Sequence, residues 1–284
     1  MQLASYAKVN LTLEVLRRRP DGYHDISSVI QTISLHDDIA LEAAPALSLD
    51  CDAPDLTAED NLAMKAAALL KEASGYAGGA RIQVRKRIPM AAGLGGGSSN
   101  AATVLLGLGQ LWKLDWAVER LQPLAERLGS DVSFFLLGGC ALAEGRGERL
   151  TPLPSPPAAW LVLLEAPLKL PGKTGALYKS LQPSHFSDGS HTRMLVEAIQ
   201  SGGPLLPEHL YNTFEQVAYH AFPSLAEYRD GFRAAGALHV RLAGSGPTLF
   251  SLVEDEQSGS DIATRLAHQG HRAHLVRTVA EGRA

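Results

Sequence analysis

The stretch Pro89-Met90-Ala91-Ala92-Gly93-Leu94-Gly95-Gly96-Gly97-Ser98-Ser99-Asn100-Ala101-Ala102 decides how this chain is read. Before it, residues 80–88 alternate. Ala80, Ile82, Val84 and Ile88 share one face and Arg81, Gln83, Arg85 and Arg87 the other, the period of a half-buried strand. After it, Ala101, Ala102, Leu105, Leu108, Leu111 and Trp112 form an apolar stripe at helical spacing. A glycine turn between a strand and a helix leaves the first N–H groups of the helix free, at the positive end of its macrodipole. The glycines also let an anion approach the backbone. The stretch has the physics of a phosphate site, to which Ser98 and Ser99 add hydroxyls.

Two familiar phosphate motifs do not fit these residues. A Walker A loop requires Lys and then Ser or Thr after its last glycine, where Ser98 and Ser99 stand. A dinucleotide fingerprint follows a buried parallel strand and is completed by an acid at the end of the next strand. Here the preceding strand alternates in polarity, and Asp115 follows a helix without an intervening strand. A glycine turn that binds nothing remains the bland alternative.

Working outward, 284 residues predict two domains. The division falls at Thr151-Pro-Leu-Pro-Ser-Pro-Pro-Ala158, whose prolines disfavour helix and central strand, giving an N-terminal domain over 1–152 and a C-terminal one over 158–284. In the first, 3–16 and 27–35 read as strands around a polar turn, and Asp60 or Asn61 caps a helix running to about residue 73. Residues 118–128 form a further helix, which Gly129 ends. In the second, 160–164 is a buried strand, and 208–221 and 223–235 carry helical patterns. Strands at 238–242 and 248–253, a helix at 262–269 and a last strand to about 276 complete an α+β class chain. Asn212 and Glu215 have capping-box spacing, which favours a structural over a catalytic role for the pair.

A formal net charge of −4 lacks the basic excess that binding to nucleic acid requires. The first residues show no basic-then-apolar leader and no apolar run is long enough to span a bilayer, so a cytoplasmic protein with no membrane partner is expected. Cys51 and Cys140 stand apart, suggesting neither a disulfide framework nor a zinc site, and the histidines lack metal-ligand spacing.

Four further places carry candidate chemistry. Lys8 lies in an apolar strand-like run, and on the residues alone reads as a lysine on a solvated strand face. Asp131, between a helix end and an apolar run, is as well suited to capping a helix as to taking a proton from a bound hydroxyl. Asp21-Gly22-Tyr23-His24 makes a tight turn whose ring and imidazole suit a flat heterocycle. Gly244-Ser245-Gly246-Pro247 either turns a hairpin or brings backbone close to a phosphate.

Together these segments resemble the GHMP kinases. The likeness rests on Ala7-Lys8-Val9-Asn10-Leu11, Asp21-Gly22-Tyr23-His24, Glu59-Asp60-Asn61-Leu62, the stretch from Pro89 to Ala102, Gly129-Ser130-Asp131-Val132 and Leu242-Ala243-Gly244-Ser245-Gly246. The resemblance implies a two-domain α+β fold with its site in the interdomain cleft. It also implies transfer of the ATP γ-phosphoryl to the 2-hydroxyl of 4-diphosphocytidyl-2-C-methyl-D-erythritol, on the non-mevalonate route to isoprenoid precursors. By the same likeness, Asp131 is the base and Lys8 stabilises the charged centre. Asn61, Leu62 and Lys86 lie near the adenine, Gly95, Gly96, Gly97, Ser98 and Ser99 hold the phosphates, and Pro89, Gly93 and Asn100 belong to the same nucleotide-binding stretch. Asn10, Tyr23, His24 and Tyr178 hold the cytidine diphosphate substrate, with Gly244, Ser245 and Gly246 beside it. Ser245 stands where related chains often carry Thr. Mg2+ is implied as the companion of ATP, with Ser99 as a protein ligand, and a monomer or weak homodimer as the assembly. The alternatives are another GHMP small-molecule kinase, for homoserine or a mevalonate derivative, or a nucleotide-binding regulator without catalysis.

Overall fold

The structure, a computed structural model, describes residues 1–53, 57, 59–168 and 170–280. Three strands open the chain: β1 (Gln2–Asn10), β2 (Thr12–Arg18) and β3 (His24–Ala44). The run expected over 3–16 is therefore split at Leu11, and the one expected over 27–35 is the middle of a strand of 21 residues. That length lets β3 serve several neighbours. Its first part pairs antiparallel with β2, and its later part with β1, from Asn10↔Ile30 to Gln2↔Ala40.

The first half continues through β4 (Ser48–Cys51), α1 (Leu62–Ser74), β5 (Gly79–Arg85), α2 (Gly96–Leu111), α3 (Val118–Leu128), α4 (Ser130–Leu137), β6 (Cys140–Gly145) and β7 (Arg149–Leu153). Asn61 starts α1 as expected, its Oδ1 accepting from Ala63 N at 3.0 Å. In β5 the apolar residues Ala80, Ile82 and Val84 are buried, and Arg81 and Arg85 face water. Helices α1 to α4 cover one face of the large sheet, where Leu70, Leu105, Leu108 and Phe134 pack on Ile39, Leu41 and Ile82. The proline stretch enters the sheet only at β7, an edge strand in which Pro152 pairs with Ala141. An edge tolerates the missing N–H.

The second half begins with β8 (Trp160–Leu164), α5 (Lys173–Ser180), α6 (Ser190–Gln200) and β9 (Tyr211–Asn212). It ends with α7 (Glu215–Ala221), α8 (Pro223–Ala234), β10 (Arg241–Leu242), β11 (Leu249–Val253), α9 (Glu256–His268) and β12 (Ala273–Arg277). Strands β10, β11, β8 and β12 form an antiparallel sheet in that order. Val162, Leu164 and Leu249 pack with Phe232 and Leu266 of α8 and α9. On the opposite face Leu161, Leu163 and Phe250 meet Ala7 and Val9 of β1. Strand β1 is thus covered on both sides, by α2 and by the second sheet.

Three expectations need correction. Residues 208–221 are not one helix: Tyr211 N donates to Leu11 O and Thr213 N to Leu13 O, so the large sheet takes this backbone as β9, parallel to β2. Asn212 and Glu215 form no capping box. The helix begins after Phe214, and both side chains reach across to the segment around Leu242. The helix expected at 262–269 starts a turn and a half earlier, where the Asp255 carboxylate accepts from Ser258 N.

Candidate active site

Gly95 adopts φ 73° immediately before α2 and so turns the chain from loop into helix. Ser99 N donates to Gly95 O, while no side chain among the described residues accepts from Gly96, Gly97 or Ser98 N. The first turn of α2 therefore offers backbone donors to an anion. The glycines here also answer to packing. A Cβ on Gly93 would overlap the Ala243 carbonyl oxygen, and one on Gly95 would lie 2.8 Å from the Phe135 ring. A cleft of about 450 Å³ opens over the loop, lined by Asn61, Leu62, Lys86, Pro89, Gly93, Gly95, Gly96, Gly97, Ser98 and Asn100. Ser99 is buried, and its hydroxyl lies 2.8 Å from that of Ser5.

Lys86 borders this cleft with its ammonium already engaged. Its Nζ lies 2.5 Å from Asp37 Oδ2 and 3.0 Å from Asn100 Oδ1. Asp37, fully buried, also accepts from the backbone N–H groups of Arg87 and Ile88 and from Asn100 Nδ2. One carboxylate thus joins β3, the residues that follow β5 and the N-terminal part of α2. Sequence reasoning missed it. The available signal was a pair of acids, Asp37 and Asp38, inside a long strand-like run.

A second pocket of about 240 Å³ meets the first at Gly93 and Gly95. Lys8, Asn10, Asp131, Tyr178, Gly244 and Ser245 are in its wall. Lys8 is buried, which corrects the solvated-face reading. The alternation along β1 predicts one wet face only if a single layer covers the strand, and here both faces are covered. Its Nζ donates to Asn10 Oδ1 at 2.8 Å and lies 3.6 Å from Asp131 Oδ2. Asn10 cannot turn freely, because its Nδ2 donates to Ser28 Oγ, whose hydroxyl donates to Thr12 O. Asp131 does not cap α4, since Gly129 holds that position. It lies in the helix's first turn, where the macrodipole favours a negative charge, with its side chain 44% exposed toward the pocket.

Gly244 closes the third side. A Cβ there would stand 3.3 Å from both Asn10 Oδ1 and Gly93 O, so backbone from the second half lines the second pocket beside Gly93, which the two pockets share. Asn212 Nδ2 donates to Leu242 O and Gly244 O, each at 2.8 Å, and Glu215 Oε1 accepts from Leu242 N. Burial raises the Glu215 pKa against the opposing effect of Arg241. Ser245 Oγ lies 2.7 Å from Thr174 Oγ1, tying this turn to α5. Gly246 packs against the Leu242 side chain and is not in the pocket wall.

The aromatic residues lie at the pocket's edge. His24 stacks on Tyr178 with centroids 4.8 Å apart and planes 19° apart, and Phe214 meets Tyr178 edge-on. Burial, then the neighbouring charge of Asp131, pushes the Tyr178 phenol up to about 12. Burial, then Arg18, lowers the His24 imidazole from its usual range. Tyr23 is more than half exposed, with the Arg146 guanidinium 4.9 Å from its ring centroid. Arg146, in a turn, and Thr174, in the first turn of α5, both line the pocket, and neither carried a sequence signal beyond its polarity. No group of three His, Cys, Asp or Glu side chains is arranged to hold a metal among the described residues. None of the described helices is long and apolar enough to cross a membrane.

Comparison with known proteins agrees with this geometry. The family model for the GHMP kinases N terminal domain matches residues 61–139, and that for the GHMP kinases C terminal matches 195–272. A 4-diphosphocytidyl-2-C-methyl-D-erythritol kinase of Dehalococcoides mccartyi is 45% identical over 280 residues, covering 98% of both chains. One from Pelotomaculum thermopropionicum is 42% identical, covering 96% of each. A solved 4-(cytidine 5'-diphospho)-2C-methyl-D-erythritol kinase superposes with a TM-score of 0.85 at 38% identity, over 98% of this chain and 99% of that one. By the match of both halves and by identity along nearly its whole length, this chain belongs to the GHMP kinases and, within them, to the family of 4-diphosphocytidyl-2-C-methyl-D-erythritol kinases.

Proposed function

We propose that the chain transfers the γ-phosphoryl of ATP to the 2-hydroxyl of 4-diphosphocytidyl-2-C-methyl-D-erythritol, with residues 1–152 supplying most of the donor site and the turn at 244–246 coming from a second domain over 158–284. The observation that carries this reading is the buried Lys8 beside Asp131, at the point where the donor cleft and the second pocket share Gly93 and Gly95. A hydroxyl bound there lies next to a carboxylate that takes its proton as the oxygen attacks phosphorus. Lys8, held by Asn10, offsets the charge that gathers around the reacting oxygens. The donor's phosphates lie against the first turn of α2, and its base lies toward Asn61, Leu62 and Lys86. The cytosine lies along the His24–Tyr178 edge, with Tyr23 and the Arg146 guanidinium over its ring close by.

Mg2+ fits these residues as a companion of the donor. It commonly keeps waters and phosphate oxygens and needs few protein ligands, so a carboxylate cluster is not required. Ser98, in the cleft wall, is the hydroxyl that would be available to the ion, whereas Ser99 is buried against Ser5 and is not in that wall. When bound, the ion neutralises the phosphates.

The test is ADP release by the full chain across a panel of alcohols: the diphosphocytidyl alcohol, mevalonate and homoserine. Turnover is expected with the first alone. Asp131→Asn should bind nucleotide normally and turn over about 10²- to 10⁴-fold more slowly. Turnover on mevalonate or homoserine but not on the diphosphocytidyl alcohol would refute the substrate. Near-normal turnover of the variant would refute the base.

A further inference from the structure

Among the described residues, each cation that lines the two pockets has a settled partner, and one cation beside them does not. Lys8 is held by Asn10 and Asp131, Lys86 by Asp37 and Asn100, and Arg146 lies over Tyr23. Lys173, the first residue of α5, forms no ion pair among the described residues, and its Nζ donates to a neutral group, the carbonyl oxygen of Ala91. It is half-buried, and burial lowers its pKa. Partial removal of an ammonium from water without a counter-charge is unfavourable, and an anion arriving beside it removes that cost.

Its position indicates which anion. Ala91 belongs to the wall of the donor cleft, and Thr174, the residue after Lys173, belongs to the wall of the second pocket. The two pockets meet at Gly93 and Gly95, so Lys173 stands beside the seam that the transferred group crosses. Ala91 itself holds φ at 51°, a conformation unfavourable for a residue with a Cβ. In that conformation its carbonyl oxygen accepts from Lys173.

Building on the kinase reading, we propose that Lys173 binds the terminal phosphate of the nucleoside triphosphate donor, leaving the Ala91 carbonyl for the γ-phosphoryl oxygens when the donor is bound.

The experiment compares ADP with a β,γ-imido analogue of ATP, both with Mg2+, by calorimetric titration of the full chain and of Lys173→Met and Lys173→Arg. Wild type should prefer the analogue. Lys173→Met should lose about tenfold or more of that preference, as expected for one charge-assisted contact, while its ADP affinity stays within about twofold. Lys173→Arg, which keeps the charge, should retain part of the preference that Lys173→Met loses. Circular dichroism and melting of both variants confirm folding. An unchanged preference in Lys173→Met, or ADP binding weakened in step with the analogue, would overturn the inference while leaving the kinase reading intact. A wild-type chain that binds neither nucleotide would overturn both.

Discussion

Replacing Asp37 with Asn isolates one interaction in the support of the donor site. Asp37 Oδ1 accepts from Arg87 N at 2.7 Å and Ile88 N at 2.9 Å, and an asparagine oxygen in that place keeps both bonds. Oδ2, which faces Lys86 Nζ and Asn100 Nδ2, becomes an NH2 group, so that donors point at donors. Turning the Asn100 amide gives one of them an acceptor, but sets its own NH2 against Lys86. Asp37 is fully buried, and the Lys86 side chain is 11% exposed, so the lysine is left as a nearly buried charge without its partner. Breaking such a pair from one side costs about 3–5 kcal/mol. With a urea slope of about 3 kcal/mol/M, the midpoint of unfolding falls by about 1 to 1.7 M, with the slope unchanged. Adding Lys86→Met removes the stranded charge at similar length and should restore most of the loss. The assay is urea unfolding followed by far-UV circular dichroism for wild type, Asp37→Asn and Asp37→Asn/Lys86→Met. A loss under about 1 kcal/mol for the single variant, or a double variant no better than the single, would refute the assignment of this pair as the main tie.

Two other substitutions test the loop and the aromatic edge. Gly93→Ala should lower the melting temperature clearly more than Gly97→Ala, because a Cβ at 93 meets the Ala243 carbonyl with φ at 84°, whereas one at 97 has only Leu62 Cδ1 at 3.6 Å; equal melting temperatures would contradict the packing described. The His24 imidazole has a folded pKa below its ordinary 6.5, so the stability contributed by the neutral ring is present above about 6.5 and lost as pH falls through the folded value. Urea unfolding of wild type and His24→Gln between pH 7.5 and 5 should show wild type losing ground to the variant in acid, and parallel curves would contradict this sign.

What the sequence made legible was local. The glycine stretch, the Asn61 cap and the alternation of β5 all follow from rules that act within a few residues, and they appear in the structure where they were expected. What it hid depends on distant chain. Lys8 reads as solvated because the pattern of β1 cannot announce a second sheet supplied by residues 160–164 and 249–253. Residues 208–221 read as helix because the apolar spacing is helical, yet Leu11 and Leu13 offer carbonyls that capture the backbone of Tyr211 and Thr213. The spacing of Asn212 and Glu215 matched a helix cap by coincidence, since their partners lie some thirty residues further on. Asp37 was invisible for the same reason: its four donors are brought to it by β5 and α2.

The short strand β9 carries a consequence for how the enzyme comes into being. Thr12 and Leu13 wait for Tyr211 and Asn212, and Ile33 waits for Thr278, so two of the seams that seal the molecule join its first residues to its last. Contacts of such separation form late and slowly, after long loops have closed. A chain still emerging from the ribosome can already display the whole glycine stretch and still lack the Gly244 turn that borders Lys8, because Asn212 has not yet taken hold of it. Catalytic competence therefore waits on late-made chain, since the turn at Gly244 is held by Asn212 only once β9 has formed.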